Sequence, residues 1–272
     1  MEGEIVKKRG FKYYLHIYLQ ILKQDLKSKM SYRADFIISI MGMICTNMLG
    51  FVSFWIIFNE FPSIKGWSYY EMLFLYGFSL VSLTPVQCFF DNNWNLQNYV
   101  FTGDFIKYCF RPVNLFFYYM SENFDVKGLG QLAFGIGTLV YAWGKLGLTV
   151  NIIMIVKTIV YLIAASLFMI AIQNFAAATC FWVINSGYVL EIVFRIREYA
   201  KYPITIFNSL FRFLFTFIIP IAFIAYYPSL VILRSNKIPI ISWLSPIIGC
   251  LFFYLAYKFW MCGAKHYGGT GS

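Results

Sequence analysis

Residues 36–58 read FIISIMGMICTNMLGFVSFWIIF, an uninterrupted apolar stretch that contains no charged side chain. A helix that crosses about 30 Å of hydrocarbon needs roughly 20 such residues, because each residue adds only about 1.5 Å. The stretch is therefore predicted to be a transmembrane helix. A basic segment that ends at Arg33 precedes it, as is typical of the cytoplasmic end of a span.

Further apolar runs follow along the chain and predict about six transmembrane helices in all. Their approximate bounds are residues 36–58, 70–90, 129–143, 152–184, 207–227 and 243–262. The chain of 272 residues is 60% hydrophobic and only 12% charged, whereas soluble domains are close to one quarter charged. The predicted fold class is an all-α integral membrane protein. One transmembrane domain covers residues 36–262, between a cytoplasmic N-terminal segment, 1–35, and a cytoplasmic tail, 263–272.

The positions of lysine and arginine predict that both termini are cytoplasmic, because positive residues concentrate in cytoplasmic loops. Seventeen of the 22 basic residues then lie on the inner side or at the inner ends of spans. The outer side has the remaining five, which are Lys65, Lys145, Lys157, Arg234 and Lys237. The net charge of +10 has the same origin, so it does not indicate a nucleic-acid partner.

Residues 187–203, GYVLEIVFRIREYAKYP, are helical in pattern but contain five charged side chains. Each charge that enters lipid costs several kcal/mol, at most about 3.5 on insertion scales. The favoured prediction is a cytoplasmic interfacial helix that leads into the fifth span. In the alternative, this stretch begins the fifth span and residues 207–227 form a re-entrant element on the outer side.

The N-terminal segment predicts an amphipathic helix between Phe11 and Lys29. Its apolar residues recur at spacings of three and four, and lysines occupy the other side. Such a helix lies in the headgroup plane against membrane lipids, and it can also bind a partner. The residues predicted to form its apolar face are Tyr14, Leu15, Tyr18, Leu22 and Leu26.

The motifs of soluble enzymes are missing from the sequence. No phosphate-binding loop of the type GxxxxGK[ST] occurs, nor does GxSxG. The two histidines are far apart in sequence, and no pair of the six cysteines has CxxC spacing. The chain is therefore predicted to be no enzyme, with no catalytic residues, no bound cofactor and no metal site. Lys157 is the one charge well inside an apolar run, and it either extends to water or contacts a substrate.

The predicted inner loop between the second and third spans, residues 95–128, mixes charged and aromatic residues. Thr102 to Asp104 indicates a turn, with Asp104 as N-cap of a short helix that runs to Arg111 and ends before Pro112. A short helix on the inner face, polar on one side and aromatic on the other, is suited to docking a soluble partner. The alternative is an interfacial connector with no partner.

Several segments together resemble the permease subunits of type-2 (exporter class) ABC transporters, within a six-span bacterial subgroup. SYRADFIIS, residues 31–39, is similar to that subgroup's entry into its first span, and HYGGTGS to its tail. In the inner loop the resemblance is carried by Val100, Gly103, Phe105, Tyr108, Arg111 and Pro112. Further along it is carried by Tyr202, Pro203, Pro220, Ala222, Phe223 and Pro228.

The resemblance implies the permease half of an ATP-driven exporter in a bacterial plasma membrane. Its partners would be two copies of an ATP-binding subunit and a second permease, which is either the same chain or a related one. The inner loop would form a coupling helix on the ATP-binding subunit, through Val100, Gly103, Asp104, Phe105, Lys107, Tyr108, Arg111 and Pro112. The N-terminal helix would be the connecting helix, and candidate pathway residues are Lys157, Pro220 and Phe223.

The cargo expected from spans rich in phenylalanine and tyrosine is an amphipathic or hydrophobic drug, peptide or lipid-like molecule. Two other functions stay open from the sequence. One is a membrane scaffold or sensor subunit that transports nothing, and the other is a secondary transporter, which would depend on an ion gradient instead of an ATPase.

Overall fold

The computed structural model describes residues 10–183, 186–234 and 238–268, and its regular elements in these ranges are all helices, as predicted. The α-helices are α1 (Phe11–Ser31), α2 (Arg33–Glu60), α3 (Tyr69–Phe89), α4 (Asn93–Thr102), α5 (Ile106–Cys109), α6 (Leu115–Ser121), α7 (Lys127–Lys145), α8 (Ile152–Ala178), α9 (Gly187–Ile196), α10 (Ser209–Phe213), α11 (Tyr226–Leu233) and α12 (Ile240–His266). Single 3₁₀ turns at Thr179–Phe181, Arg197–Lys201, Ile204–Ile206 and Ile221–Phe223, and a π turn at Leu214–Ile218, join some of them.

Four helical segments of the described chain are long and apolar enough to cross a membrane. They are Arg33–Glu60, Tyr69–Thr102, Ile152–Phe181 and Ile240–His266. A fifth arises if the bent pair Ser209–Ile218 and Ile221–Leu233 is counted as one span. The predicted third span lies within α7, which is less apolar because glycines and Gln131 occupy much of it. Four or five membrane-capable helices therefore stand where about six spans are predicted.

Some residues to which the sequence predictions refer lie outside the part of the chain that the structure describes. These are the first nine residues of the N-terminal segment, the end of the fourth span at residue 184, Lys237, and the tail beyond residue 268. Before that gap, α8 ends at Ala178 and a 3₁₀ turn continues to Phe181.

The helix α3 forms the centre of the bundle between α7 and α8. A capping box starts it, since the Ser68 hydroxyl accepts from the backbone N–H of Glu71 and the Glu71 carboxylate accepts from that of Ser68. Glycine lets α7 approach closely: a Cβ on Gly77 would lie 2.7 Å from the backbone N of Leu139. Small residues at helix contacts are typical of helices in lipid, where close packing drives association.

The helices α8 and α12 form a second close pair and run parallel, with Phe168 and Phe252 ring centroids 4.9 Å apart and Phe175 and Phe259 ring centroids 5.3 Å apart. In contrast, α2 packs on the bundle along one side only. In its most apolar stretch of 18 residues, 6% of the residues are buried, compared with 72% in the corresponding stretch of the segment that contains α3. The two stretches have similar hydropathy, 1.8 and 1.6, so their different burial reflects position in the fold.

Residues 187–206, which we call the α9 stretch, run along α4 first and then past α3 toward its N-terminal end. At one end Gly187 lies against the side chain of Gln97. Further along, the Lys201 Nζ lies 5.8 Å from the ring centroid of Tyr76. At the other end the Trp67 indole N–H donates to the Thr205 hydroxyl over 3.0 Å. Both placements of this stretch relative to the membrane, the cytoplasmic interfacial helix and the start of the fifth span, stay predictions.

The predicted fifth span, residues 207–227, is not one continuous helix. The chain bends by 74° between Ile218 and Ile221, at Pro220, which has no N–H to continue a helix. The segment returns to the end of the bundle where it began. Near its start the Arg212 guanidinium donates to the Thr205 carbonyl over 2.7 Å, and after its end Arg234 pairs with Glu71 at 2.9 Å.

Candidate coupling surface and cavity

The inner loop folds into α4, α5 and α6, which we call the coupling segment. The helix α4 ends at Gly103, whose φ of +85° is a left-handed conformation that favours glycine. The next helix is a single turn, and its N-cap is Phe105, with no side-chain hydrogen bond. The prediction that Asp104 caps this helix is wrong, because its carboxylate instead accepts from the Thr102 hydroxyl at 2.9 Å.

Two aromatic residues expected at the coupling contact are buried inside the protein. Phe105 is 0% exposed and Tyr108 is 1% exposed. The Phe105 ring lies 5.8 Å from that of Tyr119 and 6.0 Å from that of Trp260 on α12. These rings hold the coupling segment against the end of α12, so Phe105 and Tyr108 support the surface from below and are not on it.

Two hydrogen bonds fix this arrangement. The Tyr108 hydroxyl donates to the Glu122 carboxylate, and the Tyr267 hydroxyl donates to the Gly103 carbonyl over 3.0 Å. Burial raises the pKa of Tyr108, and the bond to Glu122 raises it further, so the phenol stays protonated and remains a donor.

The exposed side of the coupling segment carries a different set of aromatic residues. Phe110 is 80% exposed and Phe101 is 66% exposed. Asp104, Lys107, Arg111 and Pro112 are exposed around them, while Val100 and Gly103 are half-buried. The Lys107 Nζ lies 4.4 Å above the Tyr99 ring, which holds this cation near the surface. Sequence reasoning gave Phe101 and Phe110 no role, because nothing in their spacing separates them from the buried aromatic residues of the loop.

The helix α1 packs against the same end of the bundle. Tyr14 stacks edge-on with Phe117 at 5.0 Å, and Leu22 and Leu26 pack on the small cluster around Cys88. The Lys29 ammonium donates to the Asn123 side chain at 2.8 Å and to the Phe124 carbonyl at 2.5 Å. Of the predicted apolar face, Tyr14, Tyr18, Leu22 and Leu26 therefore contact this chain itself, and Leu15 is 44% exposed.

A cavity of about 750 Å³, which we call the α2–α9 cavity, lies between α2, α3 and the α9 stretch. Its walls include apolar residues such as Leu80 and polar ones such as Asn47 and Ser79. All five charges of residues 187–203 line it, namely Glu191, Arg195, Arg197, Glu198 and Lys201. The cavity therefore gives these five charged side chains a shared polar space inside the bundle.

A second cavity of about 710 Å³ adjoins it toward α1, and we call it the α1-side cavity. Trp94, Phe194 and Arg197 line both cavities. The Trp94 and Phe194 rings are edge-on at 5.2 Å, and the Arg197 guanidinium carbon lies 3.8 Å from the Phe194 ring centroid. Arg197 therefore stands at the junction of the two spaces.

The three residues expected in the pathway lie away from both cavities. The Lys157 ammonium donates to the Val231 carbonyl at 2.6 Å, in the last turn of α11, where free carbonyls attract a cation. Pro220 forms the bend after the π turn, and Phe223 stacks on Phe168 at 5.0 Å. The charges of the α9 stretch line the α2–α9 cavity, and sequence reasoning missed this role because no known motif marks them.

Comparison with known proteins gives one finding for this chain. The family model described as ABC-2 family transporter protein matches residues 41–271. The match includes α3 to α12, and with them the coupling segment and the α9 stretch. The searches of curated proteins and of solved structures found no match.

Proposed function

Because the chain belongs to the ABC-2 transporter family, we propose that it is the permease subunit of an ABC exporter. Membership makes it a membrane permease of an ABC transporter, a transport component of a type that usually works with an ATP-binding subunit. The proposal adds that it exports an amphipathic substrate from a bacterial cell through its plasma membrane. The α2–α9 cavity carries this proposal, since it joins a polar lining to apolar walls.

The proposed topology has six spans, which are α2, α3, α7, α8, the α9 stretch and α12. The contacts of Gly187 with Gln97 and of Thr205 with Trp67 support the α9 stretch as the fifth span. Residues 209–233 are then a re-entrant hairpin on the outer side, supported by the pairing of Arg234 with Glu71. Counted along the sequence, thirteen basic residues lie inside and six outside on this topology, so both termini remain cytoplasmic.

The proposed pathway lies between two permease subunits, each contributing its α2–α9 cavity. The helix α2 supports this arrangement, because it is apolar, borders the cavity and is only 6% buried over its most apolar stretch. Lipid alone can cover the exposed apolar face of α2. The charges of the α9 stretch beside it need a polar space instead, and the joined cavities of two subunits would provide one. Two ATP-binding subunits would contact the two coupling segments through Phe101 and Phe110.

The first test is co-purification in mild detergent from the native host, with mass spectrometry and an ATPase assay. We expect an ATP-binding subunit and vanadate-sensitive hydrolysis that depends on this chain. If this chain is recovered alone and without nucleotide hydrolysis, the exporter is wrong and the scaffold or secondary transporter is favoured. A secondary transporter would in addition lose transport when a protonophore collapses the ion gradient.

The topology is tested by labelling single cysteines in whole cells with a reagent that does not cross membranes. Arg212→Cys, in a background in which the six native cysteines are serine or alanine, is expected to react from outside. Lys65→Cys is the outer reference and Lys107→Cys the inner one. Reaction of the cysteine at position 212 only after permeabilisation would place residues 187–203 in the cytoplasm and exclude the proposed fifth span.

A further inference from the structure

The charged residues of the α2–α9 cavity are not equally provided with partners. Arg195 pairs with Glu191 at 2.6 Å, and Lys201 with Glu198 at 3.7 Å. Arg197 has no ion pair and no hydrogen bond within the described part of the chain, although it is only 7% exposed. Its Nε is completely buried and has no acceptor, and its guanidinium lies on the face of Phe194. The carboxylates of Glu198 and Asp91 act on Arg197 through their charge, with no hydrogen bond to it.

The acidic residues of the adjoining α1-side cavity already have other donors. Asp91 accepts from the Asn123 side chain at 2.8 Å, and Asp125 accepts from the Gln87 side chain at 2.5 Å. Asp35 is exposed at the start of α2. Arg197 is therefore a buried cation at the junction of two cavities, without a hydrogen-bonded carboxylate from any of the helices that surround it.

A second unpartnered donor lines the same cavity. Asn47 on α2 is 7% exposed, and its side-chain Nδ2 is buried and has no acceptor among the described residues. Its backbone carbonyl accepts from the Tyr76 hydroxyl at 2.7 Å, which fixes α2 to α3 beside the cavity. Both unpartnered atoms, the Arg197 Nε and the Asn47 Nδ2, are donors.

Leaving a buried donor without an acceptor is unfavourable, and more so for a charged group than for a neutral one. A ligand that removes this cost must accept hydrogen bonds and carry negative charge. A guanidinium binds carboxylate, phosphate and sulfate groups through two parallel N–H donors. Beside it, Trp94, Phe194 and Leu80 supply an apolar wall, and about 750 Å³ has the size of a pocket for a drug-sized molecule.

We propose that Arg197, together with Asn47, recognises the anionic group of the exported amphipath. The inference rests on the proposed exporter and specifies its substrate class: a molecule with an apolar body and a carboxylate, phosphate or sulfate group. Two sources offer this chemistry, which are a free amphipathic anion and the headgroup of an anionic membrane lipid.

The test uses the complete complex with its ATP-binding subunit, reconstituted in phosphatidylcholine vesicles. The probes are a fluorescent fatty acid with a free carboxylate and the uncharged methyl amide of the same molecule. Each is assayed for stimulation of ATP hydrolysis and for transport. For the wild-type complex we expect a KM for the carboxylate that is on the order of tenfold lower than the KM for the amide. One charge-assisted hydrogen bond provides a difference of this size.

Arg197→Gln is expected to raise the KM for the carboxylate by on the order of tenfold to a hundredfold and to change that for the amide far less. Arg197→Lys keeps the charge and should recover part of the difference between the KM values for the two probes. This variant also tests the assignment if Arg197→Gln folds poorly. Asn47→Asp has nearly the same size and should also raise the KM for the carboxylate, by repulsion. Arg33→Gln is the matched control, because Arg33 is exposed and lines neither cavity.

Equal KM values for the two probes in the wild type would overturn the role of Arg197, and so would an unchanged KM for the carboxylate in Arg197→Gln. In both cases ATP hydrolysis by the complex would still support the exporter. If no preparation of the complex hydrolyses ATP, the proposed exporter function itself is wrong. Adding phosphatidylglycerol to the vesicles separates the two sources. Competition with the carboxylate in the wild type but not in Arg197→Gln identifies a lipid headgroup, and absence of competition identifies a free amphipath.

Discussion

The coupling segment and the α9 stretch have similar mixtures of aromatic and charged residues, yet they fold in opposite ways. In the coupling segment the buried side chains are aromatic, as with Phe105, and the charged ones are exposed. In the α9 stretch an arginine, Arg197, is buried, while Tyr188 and Ile192 are 73% and 53% exposed. The difference shows that composition alone does not decide what is buried. The α2–α9 cavity receives the charged side chains of the α9 stretch, whereas the end of α12 receives the buried rings of the coupling segment.

The largest effect should come from the aromatic cluster beneath the coupling segment. Phe105→Ala is expected to destabilise the protein by about 3–5 kcal/mol, because it leaves a cavity among fully buried rings. Thermal unfolding in detergent, followed by fluorescence size-exclusion chromatography, measures the loss. Phe110→Ala is the matched control, since that ring is 80% exposed and its removal should hardly change the unfolding temperature. Equal unfolding temperatures for the two variants would contradict the burial of Phe105.

The next largest effect should be on coupling, with the fold intact. Truncating both exposed rings, Phe101→Ala with Phe110→Ala, removes two aromatic anchors from the proposed contact with the ATP-binding subunit. Aromatic hot spots at interfaces cost about 2 kcal/mol or more each when truncated, so losing both rings should weaken binding of that subunit by on the order of a thousandfold. Titration of the purified ATP-binding subunit, with hydrolysis and transport as readouts, measures the change.

The control for this pair is Phe61→Ala, at the other end of the bundle, where the phenylalanine is 61% exposed. It should leave binding of the ATP-binding subunit unchanged. If the double variant binds that subunit like the wild type and transports at the same rate, the coupling contact lies elsewhere on the inner face.

The long apolar helices could be predicted from sequence because their signal is local. The predicted spans at residues 36–58, 70–90 and 243–262 fall within or very close to α2, α3 and α12, which extend them by a few residues. The resemblance to ABC-2 permeases, built on the order of several weak motifs, is confirmed by the family match. Both signals are properties of the chain itself and need no knowledge of which helices touch.

The path of the α9 stretch could not be predicted in this way. The cavity that receives Glu191 and Arg195 forms only when α2 and α3 are in place, so no local sequence pattern reveals it. In the coupling segment, the prediction of which aromatic residues are exposed was wrong for another reason. The helix α5 has four residues, too few for periodicity to separate the buried Tyr108 from the exposed Phe110.

The smallest of these effects concerns a single hydrogen bond. Tyr108→Phe keeps the buried ring but removes the donor to Glu122, and should cost about 1.5–3 kcal/mol of stability at neutral pH. Because the pKa of Tyr108 is raised in the folded protein, its contribution is complete below the usual tyrosine pKa of about 10 and declines as the pH rises above it. The stability difference between wild type and variant should therefore narrow above pH of about 10. Unfolding temperatures measured across that range, with Tyr13→Phe as the exposed control, test the bond separately from the packing. A difference that stays constant with pH would assign the whole effect to packing and none to the phenol.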